Sequence, residues 1–280
     1  MDFYKGTIPI IDGAPDTMGL MNPVGVSRGY VERDYSRYPQ EMLAAPDQIQ
    51  LIPESEDDAR FDEAEAQKSS LEHIYLGGPN GQPIFENLDQ NGDGYCWIYS
   101  NGHAVMIKRA ANNLPLIRLN PHSSGAIIKS GRNEGGWCGL GAKFIRDIGM
   151  AEEGDGPGQW PLHSRNLRYD TQEMRTAASR YRTLEDWVDL TKSIYDQNLT
   201  TRQLATCLMN NNPCPTDFSW WRHSVCSIRW VRIERGSWGL LILNSWKNWG
   251  RFGLGVLRGN QSRPDGAVCL LSTTASSRAA

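Results

Sequence analysis

The chain of 280 residues predicts an α+β fold in two lobes, with helices first and strands later. Two observations carry this. Apolar runs in the middle of the chain have helical spacing, whereas residues 225–243 form β-branched and aromatic runs around a turn. A third observation sets the boundary of the folded part. All ten tryptophans and all six cysteines lie after residue 95. The organisation predicted is an acidic N-terminal arm over residues 1–75, with a short helix near 55–67, followed by one domain over 76–280.

The elements follow in order. Residues 1–53 mix short apolar stretches such as Ile8 to Ile11 with Pro9, Pro15, Pro23, Pro39, Pro46 and Pro53 and repeated glycines, which forbids long helices and predicts an extended arm. Ser55 followed by Asp58 resembles a capping box for the acidic helix. Residues 96–113 combine Trp97, Ile98, Val105 and Ile107 with Lys108 and Arg109 near the end. That pattern predicts a buried helix with favourable C-terminal charge, beginning at or just before Cys96. Residues 140–148 and 183–195 are further helix candidates. The stretches 225–233 and 238–243 flank Glu234-Arg235-Gly236-Ser237 and predict a β-hairpin.

Composition excludes several classes. With 39% hydrophobic residues the chain can bury an ordinary core, so it is not globally disordered. No apolar run has the length of a membrane span, and the start lacks the basic and apolar regions of a signal peptide, which predicts cytosolic synthesis. Residues 1–75 carry six Lys/Arg against fifteen Asp/Glu, so the rest of the chain is net positive. That positive part has no Lys/Arg-rich block or nucleic-acid motif. Its expected electrostatic partner is the acidic arm.

A thiol nucleophile needs a lowered pKa, an imidazole, a group that orients the imidazole, and donors aimed at an oxyanion. Cys96 at a helix start meets the first condition. His223 opens the predicted hairpin and Asn244 ends its second strand, so antiparallel pairing brings both to one end of the sheet.

These residues resemble the papain family of cysteine peptidases, which includes the cysteine cathepsins. Cys96, His223 and Asn244 have the family's order, with His and Asn roughly 130 to 150 residues after the cysteine. Gly94-x-Cys96-Trp97 is similar to the nucleophile motif, and Gln90 stands where the family has its oxyanion-hole glutamine. Asn244-Ser245-Trp246, then Trp249-Gly250 and Gly253, resembles the block in which the tryptophan shields the His–Asn hydrogen bond. Gly135-Gly136-Trp137 resembles the segment that hydrogen-bonds an extended peptide. The resemblance implies a two-lobed papain-like fold and a hydrolase working by acyl transfer. Cys96 is then the nucleophile, His223 the base, Asn244 its orienting group and Gln90 part of the oxyanion hole. Gly135, Gly136, Trp137 and Trp246 line the substrate site. A peptide or protein is the implied substrate, with no cofactor, nucleic acid or membrane as partner.

The chain departs from the family at defined points. Asp93 and Asn133 replace a disulfide pair. Tyr95 stands beside the nucleophile where a small residue is usual, which predicts a crowded cleft. Arg222 precedes His223, and its charge is expected to disfavour an imidazolium. The Asn-Ser-Trp block is one residue short, with Lys247 in place of glycine. The first 75 residues lack the family's propeptide pattern. They support a second role, a structural assembly protein whose arm anchors it to neighbouring subunits, by analogy with tailed-phage virion components.

Asp89 to Gly94 matches the first half of an EF-hand loop, but Ser100 stands where a bidentate Glu is required, so no calcium site is expected. Cys138, Cys207, Cys226 and Cys269 are expected as buried hydrophobes. Cys214, between Pro213 and Pro215, is expected in an exposed loop. The absence of CxxC and HxxxH spacing predicts no zinc site.

Overall fold

The computed structural model describes residues 1–14, 17–21, 28–38, 43, 49–182, 186–191 and 197–271. Strands β1 (Phe3–Tyr4) and β2 (Ile8–Ile11) are joined by a turn in which Lys5 and Gly6 have positive φ. Helix α1 (Met18–Met21) follows. After residues 28–38 come α2 (Asp57–Gln67) and α3 (Leu71–Tyr75). The central helices are α4 (Cys96–Ala111), α5 (Pro121–Ile128), α6 (Cys138–Asp147) and α7 (Gln172–Ala178). The chain then forms β3 (Trp187–Asp189), α8 (Gln197–Met209), β4 (Cys214–Phe218), β5 (His223–Glu234), β6 (Ser237–Leu243), β7 (Leu254–Arg258) and β8 (Gly266–Leu270). The strands lie in one mixed sheet in the order β1-β2-β7-β6-β5-β4-β8-β3. Only the β2–β7 pairing is parallel.

Both faces of this sheet are covered. On β6, Leu241 and Leu243 join the apolar cluster that includes α4, whereas Leu240 and Ile242 join the cluster containing Leu204 and Leu208 of α8. The period of two along the strand thus divides its side chains between two helices. Helix α4 is buried on every side from Cys96 to Arg109, as a helix with little polar surface must be. Its N-terminus, where backbone N–H groups lack helical partners, meets the start of β5.

Residues 187–189, expected within a helix, are a strand. Trp187, Val188 and Asp189 pair with Leu270, Cys269 and Val268. Trp187 and Val188 are fully buried, so packing on both faces erases the period-2 signal of a strand. The helix in this region is α8, in a threonine-rich stretch. No side chain caps α2 as the Ser55/Asp58 pattern implies. A 3-10 turn over Glu54–Glu56 precedes it.

The acidic N-terminal third meets basic residues of the same chain. Asp57 holds Arg202 through two hydrogen bonds of 3.0 and 2.9 Å. Arg229 reaches Glu65 and Glu72, and Arg232 reaches Asp58 and Asp62. Phe61 lies under both guanidinium groups, at 4.6 Å from Arg229 and 4.9 Å from Arg232.

Candidate functional site

Cys96 begins α4, and its sulfur is fully buried. The backbone N–H and hydroxyl of Ser224 reach it, which sets the sulfur against the start of β5, the strand that His223 opens. His223 Nε2 lies 2.8 Å from Asn244 Oδ1, and Trp246 stacks on the imidazole at 4.2 Å between ring centres. Trp221 closes a second side of the ring at 4.9 Å. His223 Nδ1 makes no hydrogen bond among the described residues. It is the ring nitrogen left free to exchange a proton.

Gln90 is fixed from both sides. Its Oε1 accepts from Ser245 Oγ at 2.7 Å, its backbone N–H donates to Ser245 O, and its Nε2 donates to Asp93 O at 2.5 Å. The glutamine amide is thereby tied to the residue that follows Asn244. Asn87, which carried no motif signal, donates to Asn244 O at 2.8 Å.

Gly136 sits against the Trp97 indole, where a Cβ would fall 2.7 Å from the ring. Both of its backbone groups are taken by the N-terminal segment. Gly136 N–H donates to Gly29 O at 2.8 Å, and Val31 N–H donates to Gly136 O at 2.9 Å, forming a parallel bridge centred on Tyr30. A Cβ on Gly135 would meet Gly29 O at 2.4 Å. Trp137 caps α6 and packs against Tyr38. Gly29 itself passes over the thiol, and its N–H donates to Cys96 Sγ at 3.3 Å.

Two expectations about local chemistry are corrected. Tyr95 does not crowd the site. Its ring is buried against Trp97, His122 and Gly125, and its hydroxyl donates to Arg132 O at 2.7 Å. The positive charge acting on His223 comes from Arg28, not Arg222. Where the family carries a disulfide, Asn133 Oδ1 accepts from Gly94 N–H at 2.7 Å, so a hydrogen bond joins the same two segments. Among the EF-hand-like residues, Asp89 accepts from Asn91 N–H and Asp93 contacts His122 Nε2, which uses the carboxylates locally.

Burial dominates the electrostatics. It pushes the Cys96 thiol up to about 11, against the donors from Ser224 and Gly29. Burial likewise drives His223 down to about 3, against the pull of Asn244. With residues 28–31 in place, the two groups are a neutral thiol and a neutral imidazole.

All six cysteines are free and buried, Cys214 included. A proline on each side does not expose it, because it begins β4 and pairs with Ser227. No described helix is long and apolar enough to cross a membrane.

The fold is the papain-like fold. The structure is similar to digestive procathepsin L 3 of Tenebrio molitor, with a TM-score of 0.52, 17% identity, and coverage of 88% of this chain and 84% of that one. It is also similar to xylellain, a cysteine protease from Xylella fastidiosa, with a TM-score of 0.58, 15% identity, and coverage of 89% and 97%. No protein-family model matches the sequence, and no curated protein does.

Proposed function

We propose that this chain is a cysteine peptidase of papain type, held latent by its own residues 28–31. The observation that carries the proposal is the Gly29 N–H on the Cys96 sulfur, beside a buried His223–Asn244 pair. A substrate must present an acyl carbon to that sulfur. The N-terminal strand presents an amide hydrogen instead, so it fills the position without being cleaved.

Once the strand leaves, the chemistry follows from the residues beneath it. Cys96 Sγ attacks a peptide carbonyl and its proton passes to His223 Nδ1. Gln90 Nε2 and the Cys96 backbone N–H stabilise the oxyanion. The imidazolium, oriented by Asn244 and screened by Trp246, then protonates the departing amine. Water attacks the thioester, with His223 as base, and restores the thiol. Gly136 N–H and C=O, released from Gly29 and Val31, become the pair that holds an extended substrate.

The assembly role draws on the same N-terminal residues. Their described ion pairs to Arg202, Arg229 and Arg232 of their own chain favour the latent hydrolase. The test is hydrolysis of a fluorogenic peptide-amide library by the Gly29→Ala protein. Turnover that disappears in Gly29→Ala/Cys96→Ala supports the proposal. A folded Gly29→Ala protein that cleaves no peptide in the library, or equal turnover without Cys96, refutes it.

A further inference from the structure

Away from the candidate site, three thiols from three elements converge. Cys207 lies on α8, Cys214 begins β4 and Cys269 lies on β8, and their sulfurs all fall within 4.8 Å of one another. Four tetrahedral thiolate or mixed positions around zinc, with Zn–S of about 2.3 Å, put sulfurs about 3.8 Å apart. The trio is therefore close to the spacing that a single ion imposes. A disulfide would draw one pair to about 2.05 Å and leave the third thiol behind.

The surroundings supply the rest of the site. The Lys108 ammonium is buried beside this cluster, bonded to Asn212 Oδ1 at 2.6 Å and Asn211 O at 3.2 Å. The charges acting on it belong to Cys269 and Cys214, with no carboxylate among them. Three thiolates and a divalent cation carry one net negative charge, which one lysine neutralises. A monovalent cation would leave the buried site anionic, so the charge count selects a divalent one. Cys207 also lines a cavity of about 490 Å³, together with Ile52, Asn210 and Asn212, which gives an ion a way in and a water a fourth position.

We infer that Cys207, Cys214 and Cys269 form a zinc site, with Lys108 as its fixed counter-charge. The short-motif rule misses it because the ligands come from distant segments. Zinc there would tie α8 and the last strand to β4, on the sheet face opposite α4.

The test uses the full chain carrying Cys96→Ala, so that zinc cannot be held by the candidate nucleophile. The protein is purified reduced and equilibrated with zinc, and its metal content is then measured. The expected result is one zinc per chain, falling below about a tenth in Cys207→Ser and Cys214→Ser and unchanged in Cys226→Ser. Cobalt in place of zinc should give thiolate-to-metal charge-transfer absorption. If the serine variants fail to fold, alkylation of the Cys96→Ala protein decides: zinc should protect Cys207, Cys214 and Cys269 but not Cys138 or Cys226. No bound zinc, zinc retained in Cys207→Ser, protection spread equally over all five thiols, or a disulfide within the trio would overturn the inference.

Discussion

Gly29→Ala is the most informative single substitution. A Cβ at this position would sit 1.8 Å from Gly94 O and 2.2 Å from Gly94 C. Gly94 cannot retreat easily, because its N–H is held by Asn133 Oδ1 at 2.7 Å. The segment must therefore lift, breaking the bonds of Gly29 to Cys96 Sγ and Gly136, of Val31 to Gly136, and of Tyr30 N–H to Arg222 O. Water then reaches the sulfur, and the thiol pKa falls from about 11 toward its ordinary value of 9.0. Two pKa units raise the thiolate fraction at pH 7 by about 100-fold. The assay is the rate of iodoacetamide alkylation, followed at the Cys96 peptide by mass spectrometry, with Cys226 as the internal reference. Cys96 should react about 100-fold faster in the variant, while Cys226 is unchanged. An unaltered Cys96 rate in a folded Gly29→Ala protein would refute the claim that this strand controls the thiol.

Three further outcomes follow. In the Gly29→Ala background, Asn244→Ala should lower kcat by about 10- to 100-fold with KM little changed, because a buried hydrogen bond of roughly 1–3 kcal/mol orients His223; an unchanged kcat contradicts the orienting role. Gln90→Ala should lower kcat by about 10²- to 10³-fold, the usual loss for one oxyanion donor, measured with the same peptide amide. Acid should undock α2. Burial pushes Glu65 up, but hydrogen bonds from Lys5 and Arg229 outweigh it and hold the carboxyl at about 2, below its ordinary 4.5. A depressed carboxylate contributes stability that is present above pH 4.5 and lost as pH falls toward 2. Tryptophan fluorescence of Trp230 and Trp238, near α2, should change across that window, and Glu65→Gln should flatten the change.

Much of the architecture is legible in the sequence because its signals are local. The all-apolar helix after Cys96 and the hairpin from His223 to Leu243 follow from periodicity and one turn. The convergence of Cys96, His223 and Asn244 follows from that topology. Other features depend on partners far along the chain. Ile8–Ile11 contains a proline and many flanking turn formers, yet it joins β7 because its apolar side chains complete a core built some 245 residues later. Tyr95 looks like an obstruction in a linear motif, but the missing side chain at Gly125 makes room for its ring on the other side. Gly29 carries no motif at all. Its role is set by a close approach to Gly94, and only the folded chain brings those two glycines together.

The central claim is that Cys96 performs acyl transfer once residues 28–31 are displaced. The most direct measurement is rapid-quench mass spectrometry of the Gly29→Ala protein mixed with a peptide p-nitrophenyl ester. The account predicts a transient acyl group on Cys96 that hydrolyses with release of the acid and persists longer when Asn244 is replaced by alanine. Absence of an acyl adduct, or its appearance on another side chain, would contradict it.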